Sequence, residues 1–232
     1  MISVCMATFN GGKFIREQLE SILSQLPPDA EIIIADDGST DDTLLVVDSL
    51  KESRIRVLPA ERHLGVIYNF ERALRASKGE IVFLADQDDV WLPGKVEMCL
   101  AALNEVDLVM HDAFLLGHSD AFESAWVRNG KLSDIRTYRG GVVANWWKNS
   151  FTGCCMAFRR KVLDKALPFP KNLPMHDQWL GVVAEKYFKV SYVDEPLVDY
   201  RQHSSNATHI EKSPAGVLQK IKWRVDLLKA II

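Results

Sequence analysis

The sequence predicts an α/β protein with a mainly parallel central sheet flanked by helices on both faces. Three observations predict it. Strand-like and helix-like segments alternate from Ile2 to Met110 across short turns. The run Ile81-Val82-Phe83-Leu84-Ala85 is apolar without alternation, as in a strand buried on both faces. Gly and Pro stand at the junctions, where they stop one element before the next begins.

The elements follow in order. Ile2 to Thr8 reads as a first strand, and Asn10-Gly11-Gly12 as the turn after it. Phe14, Ile15, Leu19, Ile22, Leu23 and Leu26 share one helical face, ended by Pro27-Pro28. Glu31 to Ala35 is a second strand running into Asp36-Asp37-Gly38-Ser39. Asp41 or Asp42 caps a helix carrying Leu44, Leu45, Val47 and Leu50. Arg54 to Leu58 is a weaker third strand, followed by a helix from about Val66 to Ser77 with Gly79 as its stop. The apolar run is strand four. Pro93 starts a helix with Val96, Leu100 and Leu103, and Asp107 to Met110 is strand five. Beyond Phe114 the alternation ends. Residues 117–150 are polar and read as a long irregular or mobile segment, with apolar pieces at 152–158 and 188–193 and a helix from Gln178 to Tyr187.

A chain of 232 residues is long enough for a full hydrophobic core. At 47% hydrophobic and 25% charged it is neither a disordered chain nor a membrane bundle, and a net charge of −3 argues against nucleic acid as partner. Cys5, Cys99, Cys154 and Cys155 form no zinc or disulfide spacing, so reduced thiols are expected. No leader pattern and no membrane-spanning run is seen. The expected location is the cytoplasm, with the inner face of the cell membrane as an alternative.

Chemistry collects at the strand ends. In open parallel sheets ligands bind beyond the carboxyl ends of the strands. Thr8/Asn10, Asp36/Asp37 and Asp86/Asp88 occupy three such ends, so residues distant in sequence converge. Asp86-Gln87-Asp88-Asp89 sets three acids in four residues, which repel unless a cation offsets them. Few oxygen ligands suit Mg²⁺ or Mn²⁺ carrying a substrate's phosphates. A solvated acidic turn is the alternative.

The Thr8-Phe9-Asn10 strand end, Asp36-Asp37-Gly38-Ser39, Asp86-Gln87-Asp88-Asp89-Val90-Trp91, Gly153-Cys154-Cys155 and His176-Asp177 together resemble a family 2 glycosyltransferase of the GT-A (Rossmann-like) fold. Tyr200-Arg201-Gln202-His203 is most similar to the rhamnosyltransferase-like branch. The resemblance implies an inverting enzyme that moves a sugar from a nucleoside diphosphate to a hydroxyl of a glycan or lipid-linked saccharide. The implied donors are dTDP-rhamnose, then a UDP-hexose. It places Ala7, Thr8 and Asn10 around the nucleoside, with Asp37 accepting from a pyrimidine imide and Asp36 either beside it or holding the turn. Asp86 contacts the ribose or positions the loop. Asp88 is the metal carboxylate for Mn²⁺ or Mg²⁺, and Asp89 serves either role through water. His203 is either a further metal ligand or an exposed loop histidine, and Arg201 an alternative phosphate partner. Asp177 is the base that deprotonates the acceptor, against the plainer reading of a helix N-cap. Gly153, Cys154, His176 and Trp147 fall on the acceptor side, although His176 equally fills space and Trp146 and Trp147 equally pack in the core. Asn69 is either near the nucleotide or a polar helix-surface residue.

The expected organisation is a nucleotide-sugar-binding half at 1–112, an acceptor and base half of the same domain at 113–210, and an amphipathic tail at 211–232. In that tail Val217, Leu218, Ile221, Val225, Leu228 and Ile232 form an apolar face. It packs on its own domain, forms a homodimer, or lies on an anionic bilayer. Two rival functions remain. A sugar-1-phosphate nucleotidyltransferase needs an early glycine-rich, Arg-containing loop that Asn10-Gly11-Gly12-Lys13 does not supply, and a non-catalytic nucleotide-sugar-binding relative has no need of Asp88 and Asp177.

Overall fold

The computed structural model describes residues 1–58, 63–119, 122–203 and 216–231. The chain runs β1 (Ile2–Thr8), α1 (Ile15–Leu23), β2 (Glu31–Asp36), α2 (Thr43–Ser49), β3 (Ile55–Leu58), α3 (Val66–Ala76), β4 (Ile81–Asp86), β5 (Val90–Trp91), α4 (Lys95–Ala102) and β6 (Leu108–Ser119). It continues through β7 (Phe122–Lys131), α5 (Leu132–Ile135), α6 (Val142–Trp147), β8 (Met156–Arg159), α7 (Leu163–Ala166), α8 (His176–Tyr187), β9 (Val190–Arg201) and α9 (Val217–Ile231).

One sheet has the strand order β3-β2-β1-β4-β8-β6-β9-β5, with β7 added beside β6. The strands β3, β2, β1 and β4 are mutually parallel, as the alternation of strand and helix requires. β8 enters antiparallel between β4 and β6 and turns the sheet into a mixed one. Strands from both sides of residue 112 share this sheet, and β6 runs through that position unbroken.

Burial explains the hydrophobic pattern. Val4, Cys5 and Met6 of β1 and Val82 to Ala85 of β4 are fully buried, because helices cover both sheet faces. Ile15, Leu19 and Ile22 of α1 and Phe70, Ala73 and Leu74 of α3 supply the covering faces. The expected face of α2 is narrower than its sequence suggests. Val47 is buried there, while Leu44 and Leu45 are exposed.

The largest departure from expectation lies in 117–150. Instead of an irregular stretch, β6 and β7 form a long hairpin, followed by α5 and α6. Polar cross-strand contacts hold its base. Arg128 forms a two-pronged ion pair with Asp199 of β9, at 2.7 and 3.0 Å, and its guanidinium lies 4.3 Å from the centre of the Phe114 ring. Hydrophobic alternation does not register strands joined in this way.

Helix α9 packs by one edge against α6 and α8, burying Leu227 and Ile231. Trp146 Nε1 donates to the Arg224 carbonyl at 2.7 Å. The apolar face expected for the tail points away from the protein: Val217, Leu218, Ile221, Val225 and Leu228 are all exposed. The remainder of the tail, 211–215 and 232, and the segment 204–210 lie outside the described residues. Among the described residues no helix is long and apolar enough to cross a membrane.

Candidate active site

The strand ends align across the sheet. Ala7 of β1 pairs in register with Asp86 of β4, and Thr8 with Asp36 of β2. Because β2 and β4 lie on opposite sides of β1, the chain reverses its direction of winding here, and a crevice opens at that point. Gln87 ties the two loops together. Its Oε1 accepts from Thr8 Oγ1 at 2.5 Å and Phe9 N at 2.9 Å, while its Nε2 donates to the Phe9 carbonyl at 3.1 Å. Gln18 of α1 donates to the Asp86 carbonyl at 2.7 Å.

A cavity of about 380 Å³ opens over this edge. Its walls include Ala7, Thr8, Asp37, Asp86, Asp88, Gly153, His176 and Asp177, with Phe9, Asn69, Arg136 and Tyr200. Four carboxylates from three separate stretches of sequence thus face one volume.

The acids are closely coupled. Burial, reinforced by the Asp88 and Asp177 charges, pushes Asp86 up to about 8. Asp89 is raised well above the ordinary range, first by burial and then by Asp88 and Asp86. Beneath them Lys95 is fully buried, its Nζ donating to the Cys154 carbonyl at 2.7 Å and lying 4.2 Å over the Trp91 ring. Its positive charge lowers Asp86, but one ammonium does not offset the whole group. Asp88 Oδ2 lies 2.9 Å from His203 Nε2, and that imidazole stacks on Phe14 with ring centres 4.8 Å apart. An oxygen and a nitrogen donor side by side, Asp88 in the cavity lining and His203 just outside it, fit a divalent cation. Asp86, Asp89 and Cys154 form a further group whose ligand atoms lie within 4.8 Å of one another. Asp89 and Cys154 are fully buried and outside the cavity lining, whereas Asp86 and Asp88 line it.

Asp177 is the second residue of α8. The N-cap is Met175, so the helix-cap reading of Asp177 does not apply. Its Oδ1 accepts from Gln178 N at 2.6 Å and from Asn149 Nδ2 at 3.0 Å. Burial raises the carboxyl to about 6, against the pull of the Arg136 guanidinium and these hydrogen bonds. Arg136 is itself held by the Phe151 carbonyl at 3.0 Å and Thr152 Oγ1 at 3.2 Å. His176 stacks on Phe70, ring centres 4.0 Å apart, and burial pushes it down to about 3, so it is neutral at physiological pH. A Cβ at residue 153 would come within 2.8 Å of His176 Nε2, so Gly153 is what allows the imidazole to lie there.

Several residues sit differently from their expected places. Asn10, at φ 51°, turns its Oδ1 to Thr40 N at 2.8 Å and bridges two loops; it is not part of the cavity lining. The Cys154 side chain is fully buried and does not line the cavity, whereas Gly153 and His176 do. Trp147 is 60% exposed and lies under the Arg224 guanidinium at 4.2 Å, apart from the cavity. Arg201 is buried, ion-paired with Glu17 and bonded through Nη1 to the Asp88 carbonyl at 3.2 Å, so it braces the acidic loop rather than meeting a phosphate. Asp36 accepts from Gly38 N at 2.9 Å and Ser39 N at 3.0 Å, which is the turn-holding reading. Asp37 lines the cavity, and its carboxylate accepts from Leu64 N at 2.7 Å and Gly65 N at 2.8 Å, with His63 Nδ1 3.0 Å away. Asn69 is buried, donating to the Ala35 carbonyl and accepting from Arg72 at 2.8 Å, so helix-surface polarity does not describe it.

Gln87, Asn149, Arg136 and His63 carry contacts that no spacing announces. Gln87 alone had a signal, its place inside the acidic motif. Asn149 and Arg136 come from the polar stretch that contains the hairpin and short helices.

A mainly parallel sheet whose carboxyl edge opens into an acid-lined crevice is the arrangement of the GT-A glycosyltransferases, which transfer sugars from nucleotide sugars. The chain belongs to glycosyl transferase family 2, whose sequence profile matches residues 3–167. It is 33% identical to the glycosyltransferase GlyG of Streptococcus pneumoniae serotype 4, over 91% of this chain and 74% of that one. It is 26% identical to the dTDP-rhamnosyl transferase RfbG of Shigella flexneri, over 87% of this chain and 72% of that one. Among solved structures, S. aureus TarS 1–349 in complex with UDP-GlcNAc superposes on all of this chain and 67% of that one, with a TM-score of 0.73 at 21% identity.

Proposed function

We propose that this chain is an inverting, metal-assisted glycosyltransferase that takes a pyrimidine nucleoside-diphosphate sugar as donor, dTDP-rhamnose before a UDP-hexose. The acceptor is a hydroxyl of a glycan or of a lipid-linked saccharide. One observation carries the reading: Asp37, Asp88 and Asp177 line a single cavity although 140 residues separate the first from the last (177 less 37). The dTDP donor of RfbG and the UDP-GlcNAc bound to TarS support a pyrimidine nucleotide.

Ala7 and Thr8 bound the nucleoside end, and Asp37 faces the base. Asp86 meets the ribose. Asp88 and His203 would hold Mn²⁺ or Mg²⁺. When bound, that ion supplies positive charge against the diphosphate as it leaves. Asp177 removes the proton from the acceptor hydroxyl, while Asn149 and Gln178 N hold its Oδ1 in place. Gly153 and the His176 imidazole line the acceptor side next to this carboxylate. A single displacement with the base on the acceptor side inverts the anomeric centre.

A thermal-shift panel of nucleoside diphosphates, each with and without Mn²⁺, tests the donor. dTDP and UDP with Mn²⁺ raise the melting temperature above either component alone. Stabilisation by GDP or ADP in their place would contradict the pyrimidine assignment.

A further inference from the structure

The exposed face of α9 sets aliphatic side chains beside basic ones. Taken at about 100° per residue, Val217, Leu228, Ile221, Val225 and Leu218 fall in one stripe covering under a third of the helix circumference. Leu218 is 84% exposed. Lys222 and Lys229 border one edge of the stripe and Arg224 the other, while Lys220 lies towards the side that carries Leu227 and Ile231. Four basic residues thus accompany a single acid, Asp226, which lies on the far side. Arg224 links its edge of α9 to α6. Arg224 Nε donates to the Trp147 carbonyl at 3.0 Å and its guanidinium covers the indole, leaving Trp147 exposed next to Val143, which is 75% exposed one turn earlier.

We propose that the surface formed by α9 and the Val143–Trp147 face of α6 docks on an anionic bilayer, the aliphatic stripe entering the headgroup boundary and the flanking Lys and Arg meeting lipid phosphates. Aliphatic side chains left exposed side by side along one helix face mark an interaction site. Charge decides which. A second copy would bring like charges together, and protein interfaces are depleted in Lys at their centre. An apolar stripe bordered by cations on both edges, with Trp at its margin, matches the headgroup zone. The inference does not depend on the donor or base assignments, because none of these residues lines the cavity.

Sedimentation of the full chain with vesicles tests it. The protein pellets with vesicles of equal parts phosphatidylglycerol and phosphatidylcholine, and at least about tenfold less with phosphatidylcholine alone, since each cation near an anionic surface contributes about fivefold. Lys222→Glu with Lys229→Glu, and separately Leu218→Ser with Ile221→Ser, each reduce pelleting about tenfold while the nucleotide-induced thermal shift is unchanged. All four side chains are exposed, so the melting temperature stays near that of the parent. Absence of pelleting by the parent chain, or equal pelleting by the variants, would overturn the proposal. So would light scattering that shows a dimer which the serine substitutions dissociate.

Discussion

Replacing Asp177 with Asn lowers sugar transfer by about 10²- to 10⁴-fold, the usual contribution of a positioned base, and leaves nucleotide binding intact. It also makes the protein more stable at neutral pH. The direction follows from the carboxyl's surroundings. Folding raises it from 3.8 to about 6, so the fold disfavours the ionised form that the reaction needs. Its contribution to stability is fully present below pH 3.8 and is lost as pH rises through about 6. At pH 7 to 8 the ionised group therefore costs about 3 kcal/mol, at about 1.4 kcal/mol for each pH unit. Asn keeps the oxygen that Gln178 and Asn149 hold and carries no charge. The variant melts several degrees higher at pH 7.5 and shows no advantage near pH 4. In the parent, transfer rises with pH through about 6 and then levels, because only ionised Asp177 can take the proton. A variant with parental turnover, or a pH profile without that rise, would remove Asp177 from the base role.

Replacing Asp88 with Ala abolishes the Mn²⁺-dependent part of nucleotide binding and lowers transfer by about 10²- to 10³-fold, the scale for losing one charge-stabilising group. Asp88 lines the cavity with His203 at 2.9 Å, and it is the second-largest cause of the raised Asp86 carboxyl. Its removal therefore relieves like-charge repulsion, and the fold persists. Equilibrium titration of the nucleotide at several Mn²⁺ concentrations separates the two effects. Metal-independent binding is retained, while the enhancement by metal disappears. A variant that still gains affinity from Mn²⁺ would place the ion elsewhere.

The parallel half of the fold was legible because burial on both faces leaves an unbroken apolar run, and Ile81–Ala85 shows one. The convergence of Thr8, Asp37, Asp86 and Asp88 was legible for a related reason: parallel strands carry their C-terminal residues to one edge whatever their distance in sequence. The hairpin β6–β7 was not, since Arg128 joins it to β9 through charge and ring contacts that leave no alternation. Trp147 shows a further limit. An aromatic residue after an irregular stretch is compatible with a sugar platform, a core position or a surface, and only the packing of α9 against α6 separates these. The same holds for Arg201, whose charge suits a phosphate until Glu17 and the Asp88 carbonyl are seen to take it. The stripe on α9 was visible in the sequence as amphipathic, but which side meets the protein depends on where Leu227 and Ile231 find their cover.

Anomalous diffraction from crystals grown with dTDP or UDP and Mn²⁺ addresses the gathering of these side chains most directly. The expected map has one manganese peak within bonding distance of an Asp88 oxygen, sharing the diphosphate, with the nucleotide base towards Asp37 and the sugar side open to Asp177. A manganese or nucleotide site outside this cavity would contradict it.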